Sequence, residues 1–385
     1  MNRLLNIVGV VTFATSLFTR AVDPVIPQIA TSLWVDPATA ALLSTAFALP
    51  YAVLQPLLGP LADVIGKARM MTICLVLLTA ASLASAFAES FAVLLTLRML
   101  SGIVSGGIFP AAMAFAADLA PIGQRQVALS RILFAGMSGN LLGASAAGIV
   151  ADLIGWRGVF LLTGAIGALA LLTAIIGFRT TDVKSTRIPF KSVPAGYRAI
   201  LANPRAKVCF GAVFFEGIFI FGVFPYVALL LLAGGEARAS IAGLVIAGFS
   251  LGGVLYAMIV GALLEMFGQR RIMMTGGLVA AIALSSVALH VWWPLALLAF
   301  GLLGLGFYLL HGSIQVFMTE LAPEARGSSA ALHSSSFFLG QAIGPVFYGL
   351  GLAWGGQGPT LVIAAIGVAL VALISVRLLH APGPT

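Results

Sequence analysis

Charge is what this sequence lacks. Only 8% of its 385 residues are charged and 61% are hydrophobic. Twelve acids and 20 bases are too few to coat the surface of a soluble protein of this length. Cysteine is nearly as scarce. Cys74 and Cys209 both fall inside apolar runs, neither has a CxxC partner, and both read as small apolar core residues. No HExxH, P-loop or clustered Cys/His spacing occurs, so metalloenzyme and ATP-driven readings lack support, and no metal and no cofactor is expected. The apolar runs are much longer than the alternating strands of about 10 residues that build a membrane barrel.

What is present is length in apolar runs. Mean hydropathy is +1.11. About 20 apolar residues at roughly 1.5 Å each cross a hydrocarbon core about 30 Å thick. Helices and closed barrels are the two forms that span it, because hydrocarbon satisfies no open backbone group. The fold class expected is therefore an all-α, polytopic membrane protein. Polar breaks divide the chain into twelve spans, near 4–30, 39–62, 70–88, 91–117, 127–150, 156–178, 206–232, 239–264, 272–290, 294–318, 329–350 and 358–378. The apolar start "MNRLLNIVGVVTFATSLF" shows no convincing small-x-small cleavage site and reads as a retained first span. Trp156, Trp292 and Trp293 sit where interfacial anchors belong.

Lysine and arginine set the orientation. With the N-terminus cytoplasmic, the inner segments hold fifteen bases, among them Arg3, Lys67, Arg69, Arg125, Lys191, Arg270, Arg271 and Arg326. The outer side holds Arg157 and Arg238. Positive charge concentrates inside, so both termini are expected in the cytoplasm, and the same bias explains a pI near 10.0 without a nucleic-acid partner. Residues 179–205 form the one long polar segment. They read as a cytoplasmic linker, with a short surface helix at 195–202, between domains at 1–178 and 206–385.

The two halves repeat. Gly59, Leu61, Asp63 and Gly66 map onto Gly261, Leu263, Glu265 and Gly268 at an offset of 202. The same offset carries "DLAP" at 118–121, with Asp118, onto "ELAP" at 320–323, with Glu320. Six spans is an even number, so both halves enter the membrane from the same side: a parallel duplication, which is a transporter architecture.

"GPLADVIGKAR" between spans two and three closely resembles the signature loop of the major facilitator superfamily. "LTLRMLSGIVSGG" in span four, "GMSGNLLGASAAG" in span five, "GWRGVF" and "DPVIP" are similar to segments of its twelve-span drug:proton antiporter and sugar efflux branch. The span-five motif departs at Asn140, where that branch has proline. The resemblance implies two six-helix bundles and alternating access. It implies a gating cluster of Asp63, Lys67 and Asp118, with Asp63 facing the start of span eleven near Gly327–Ala330. Gly59, Gly66 and Arg69 of the same loop, with Glu265, Arg270 and Glu320 of the second half, complete the gating set. Gln269 stands in the second half where the loop's base would be, which predicts a weaker mirror cluster. In the span-five glycines it implies a hinge-like or leak-preventing bend.

Ionisable groups inside spans are costly and are functional hypotheses by default. Arg20 and Asp23 are i,i+3 neighbours in span one, Arg98 lies in span four, Glu216 near the middle of span seven, and His311 in span ten. The resemblance implies that spans one, four, seven and ten line the central cavity. Asp23 has arginine neighbours and is expected to stay charged. Glu216, within "AVFFEGIFIF", has none in its span and is expected to take and release a proton, with His311 as a second carrier. Tyr51, Gln55, Phe109, Asn140, Phe219, Tyr226, Tyr308 and Gln315 are candidate cavity contacts. Arg131 and His333, which map onto each other across the repeat, are assigned to the interface, where long side chains snorkel.

Serine-protease strings at 136–139 and 248–252 lie in apolar helices and lack the strand–turn–helix context of a nucleophile elbow, so no enzyme is expected. The function expected is proton-coupled export of a small amphipathic compound, a drug-like molecule or a sugar. The expected setting is a monomer in a bacterial inner membrane. Uptake of a sugar or organic anion is the alternative within transport, and a non-transporting sensor the alternative outside it.

Overall fold

The computed structural model describes residues 2–121, 124–179, 193–289, 292–322 and 326–379. It is all helix, and among the described residues no strand occurs. Span one is α1 (Asn2–Arg20), a 3-10 turn at Asp23–Val25, and α2 (Ile26–Ser32). Then come α3 (Pro37–Ile65), α4 (Lys67–Ala86), α5 (Phe91–Leu119) and α6 (Arg125–Phe178). After α7 (Val193–Ala202), span seven is α8 (Pro204–Phe219), a 3-10 turn at Phe221–Tyr226, and α9 (Val227–Ala233). α10 (Ala239–Val287), α11 (Trp293–Thr319), α12 (Arg326–Gly355) and α13 (Gln357–Leu378) close the chain.

Ten of the described helical segments are long and apolar enough to cross a membrane. Two of these count double. α6 has 54 residues, about 80 Å of helix and more than twice the hydrocarbon thickness. It breaks at Gly155, whose φ of 78° a side chain would strain. The chain reverses there. Beyond α1, residues Gly136 and Gly143 meet Thr12 and Leu17 in that order, whereas Gly167 and Gly177 meet Phe18 and Ile7 in the opposite order. The limb before Gly155 therefore runs parallel to α1 and the limb after it antiparallel. α10 breaks in the same way at Gly268, φ 71°. Ten segments with two reversals give twelve spans.

Contacts divide the chain into two compact units, Met1–Phe190 with Arg238–Leu244, and Lys191–Ala237 with Val245–Thr385. In the first, α1 packs on α6, and α5 on α3 and α4. Its core joins Val8, Val11, Met71, Leu75, Leu78, Ile108 and Ile132. In the second, α12 packs on α8 and the turn after it. Close approach is what the paired glycines provide. A methyl on Gly139 would strike the carbonyl of Phe13 on α1, and one on Gly340 the carbonyl of Phe214 on α8. Large side chains such as Phe134, Leu153, Ile176 and Ile282 remain exposed, as a lipid-facing surface requires.

The span-five glycines keep helical dihedrals. Non-helical φ/ψ within α6 occurs at Gly155 alone. Gly136, Gly139 and Gly143 seat the helix against α1 instead, so tight packing is the role their geometry carries.

Candidate functional site

Each unit holds its own set of buried charges. In the first, the turn after α1 points Asp23 inward, 1% exposed. Arg20 Nη1 donates to Asp23 Oδ2 at 3.3 Å and Ser44 Oγ to Oδ1 at 2.8 Å. Arg98, 3% exposed, donates from Nε to the Leu43 carbonyl at 3.4 Å and from Nη1 to the Phe18 carbonyl at 3.3 Å. Its guanidinium lies 4.6 Å from the centre of the Phe47 ring. Arg98 thus ties α5 to the backbones of α1 and α3. Tyr51 and Gln55 follow Phe47 down α3, both buried, and the Gln55 Oε1 has no hydrogen-bond partner among the described residues. Asn140 Oδ1 is likewise buried and unpartnered, and Phe109 is half-buried beside Gly136.

At the far end of the same unit the loop motif forms its ion pair. Gly66, φ 98°, turns α3 into α4, and Lys67 Nζ donates to Asp118 Oδ2 at 2.6 Å. Lys67 is buried and Asp118 partly so. They border a cavity of about 410 Å³ that Arg69, Phe115, Phe178 and Arg179 also line. The side chains of Gly59's neighbour Asp63 and the surroundings of Gly59 itself lie outside the described residues. The mirror position differs. Glu265, Arg270 and Glu320 are all exposed, and none makes an ion pair among the described residues. Gln269 donates to the Ser313 carbonyl at 3.2 Å, a neutral substitute for the Lys67 contact.

The second unit brings together residues that sequence spacing leaves 95 positions apart. His311 Nδ1 of α11 and Glu216 Oε2 of α8 are 2.7 Å apart. Glu216 is fully buried and His311 is partly buried, its side chain 14% exposed. Phe307 stacks on the imidazole at 4.7 Å, Phe337 of α12 flanks it at 5.1 Å, and Phe221 packs on both phenylalanines. A carboxylate here has no cation of fixed charge bonded to it among the described residues.

His333 belongs to this cluster and not to an interface. It is 4% exposed, and its ring centre lies 5.0 Å from that of His311. A long arginine at the mapped position, Arg131, does reach an exposed site, but the short histidine stem cannot snorkel. Tyr308 stacks on Tyr256 at 5.9 Å and is half-buried, while Gln315 is exposed. Phe219 packs against Phe215, Phe347 and Gly367. Tyr226 donates its hydroxyl to the Pro345 carbonyl at 2.8 Å. Both of these rings are engaged within the helices of their own unit.

The sequence model of the Major Facilitator Superfamily matches residues 8–237 and 212–385. The chain belongs to that superfamily. As a Major Facilitator Superfamily protein it is a multi-pass membrane transporter whose class of ligand is a small molecule. Among its relatives is the quinolone resistance protein NorA of Staphylococcus aureus (strain Mu50 / ATCC 700699). It is 24% identical over 385 residues, covering 98% of this chain and 96% of the relative. The putative multidrug resistance protein MdtD of Klebsiella pneumoniae (strain 342) is 31% identical over 163 residues, 42% of this chain and 35% of that one. The fold is also that of solved structures. A D-xylose-proton symporter aligns with a TM-score of 0.76 at 16% identity, covering 96% of both chains. A POT family transporter in complex with 5-aminolevulinic acid aligns at 0.79 and 14%, covering 97% of this chain and 95% of that one.

Proposed function

We propose that this transporter exports a small amphipathic compound in exchange for protons. The observation that carries the reading is the Glu216–His311 pair, 2.7 Å apart and enclosed by phenylalanine. A buried carboxylate is costly when charged and cannot stay so without a partner. Its partner here is an imidazole, the side chain that can take up or give up a proton without carrying a fixed charge. One proton on the pair gives a net neutral site, and its loss leaves a buried negative charge. That charge is relieved by reorganisation of the bundle or by a new proton, which is how a titrating pair can bias a two-state carrier. Asp23, already met by Arg20 and Ser44, would stay charged and serve structure or recognition.

The rest of the reading follows the chain. Residues 1–178 and 206–385 are the two bundles, joined by 179–205. The lysine and arginine bias places both termini in the cytoplasm of a bacterial inner-membrane protein. The Lys67–Asp118 pair serves as a gate contact, with Gly59, Asp63, Gly66 and Arg69 around it and Glu265, Arg270 and Glu320 as the weaker counterpart. Tyr51, Gln55, Phe109, Asn140, Tyr308 and Gln315 are the groups offered to substrate, and the protein works as a monomer. Export of a drug-like compound is the direction the two resistance-protein relatives support.

The test uses everted membrane vesicles, acidified inside by respiration, and a fluorescent quinolone as probe. The probe should accumulate in a gradient-dependent way and leak out when the gradient is collapsed. In Glu216→Gln the accumulation should vanish while exchange of internal for external probe continues. Accumulation by Glu216→Gln with unchanged pH dependence would move coupling away from this pair. A thermal-shift screen of quinolones, sugars and organic anions then assigns the substrate class.

A further inference from the structure

We infer that His333 is a second station for the coupling proton, and that Glu216, His311, His333 and Ser329 form one buried path along α12. The inference rests on the reading of Glu216–His311 given above. Three observations support it. The imidazoles of His311 and His333 meet edge to face, 5.0 Å between centres at 63°. His333 Nε2 and the second oxygen of Glu216, Oε1, are both buried with no hydrogen-bond partner among the described residues. Ser329 lies four residues before His333, on the same face of α12 and one turn nearer its start. Its hydroxyl is also buried and unpartnered.

Three orphaned polar atoms on residues of one cluster and the adjoining turn of α12 are unusual, since buried polar groups are nearly always satisfied. They are what a proton path needs: acceptors left open until a proton or a water arrives. The groups facing His333 are few. His311 comes from α11, and Glu216 from α8 stands one hydrogen bond further. Tyr226, in the turn packed on α12, gives its hydroxyl to the Pro345 carbonyl about three helical turns away.

The step balances as follows. A proton on Glu216 passes from Oε2 to His311 Nδ1. The resulting imidazolium loses its Nε2 proton to His333 Nε2, which leaves His311 neutral in the other tautomer. A histidine ring turns about a broad χ2 potential, so this transfer needs a side-chain rotation and no change of the helices. His333 then gives up the proton towards Ser329 and the start of α12, and a half-turn of the His311 ring, which brings its unprotonated nitrogen back to Glu216, readies the pair for the next.

The decisive measurement is nitrogen-15 histidine NMR on the full chain in lipid nanodiscs, titrated with pH. Single His→Gln variants at positions 290, 311, 333 and 380 assign the four signals. The curves of His311 and His333 should be linked, and Glu216→Gln should displace both. A His333 curve that stays in place in Glu216→Gln overturns the inference, with no substrate involved. Quinolone-driven proton flux in proteoliposomes gives the second arm. His333→Gln should slow it about tenfold, and Ser329→Ala less, as loss of a proton-transferring group does. Wild-type flux in His333→Gln would overturn the path while leaving the Glu216–His311 reading intact. Absence of proton flux in the wild type would overturn that reading instead, and the titration would still decide whether His333 shares the proton.

Discussion

In the first unit Asp23 meets an arginine at 3.3 Å and a serine at 2.8 Å, whereas in the second Glu216 meets the imidazole of His311 at 2.7 Å and two phenylalanine faces. Both carboxylates are buried to within 1%. Their surroundings give them different work. An arginine partner is always charged and holds its acid charged with it. An imidazole partner can match either state. The two acids are not copies of one position, since the 202-residue offset carries Asp23 onto Pro225 and Glu216 back onto Ala14. On the function proposed above, the first would act as an electrostatic strut and the second as a titrating site. The loops differ in the same sense, Lys67–Asp118 being paired and Glu265 and Glu320 standing free of any ion pair among the described residues.

The largest effect should come from the titrating half. Glu216→Gln is expected to lower quinolone accumulation in everted vesicles by at least about tenfold, the equivalent of about 1.4 kcal/mol of lost coupling, with melting temperature held or raised. Asp23→Ala should do the opposite. It strands Arg20 and Ser44 and should cost about 3 kcal/mol of stability, seen as a lower melting temperature in detergent. Equal thermal losses in the two variants would erase the distinction between strut and switch.

The loops offer a finer test. Lys67→Met should slow transport about threefold, equivalent to about 0.7 kcal/mol, while Glu265→Gln leaves the rate unchanged. Similar losses in both would mean that the second loop pairs during the cycle. The smallest effect concerns Asp36, which caps α3 by accepting from the Thr39 amide at 2.9 Å and from the Thr39 hydroxyl. Those bonds, the hydroxyl first, hold its carboxyl below the ordinary value. A depressed carboxyl contributes stability above its unfolded-state value and loses it as pH falls through the folded one. The deficit of Asp36→Ala, about 0.5 kcal/mol at this exposed site, should therefore hold above about pH 5 and shrink as pH falls below it and through the depressed folded value. A constant deficit would show that the charge is irrelevant to the cap.

Much of the architecture was legible because hydrocarbon imposes its own ruler. Twelve apolar runs of the required length could be counted, and the 202-residue offset exposed the duplication. The polar breaks placed a boundary between spans five and six at 150–156, and the structure puts the turn itself at Gly155, φ 78°, with Gly356, φ 74°, at the matching place in the second half. The cluster around His311 was half legible. Glu216 and His311 stood out because charge inside a span is rare, but no spacing rule links positions 216, 311 and 333. Mapping His333 onto Arg131 misled, because a repeat conserves backbone position while side-chain length decides whether a group can reach water. The signal that could have found it was the contrast itself, a histidine replacing an arginine at equivalent sites. Phe219 and Tyr226 show the complementary limit: aromatic type marks a residue that can line a cavity, and only packing shows which neighbour holds it.

Gly155 and Gly268 also bear on how the chain gets into the bilayer. At Gly155 the joint lies between Ile154 and Trp156, so the two limbs of α6 have no separate loop between them and are expected to insert as a pair. Gly268 is a joint of another kind, flanked by Glu265, Gln269, Arg270 and Arg271, and that basic charge is expected to hold the turn on one side while each limb of α10 inserts. A charged tag at Gly155 should therefore obstruct insertion more than the same insert at Gly268, or between α2 and α3, where the connection already has residues to spare.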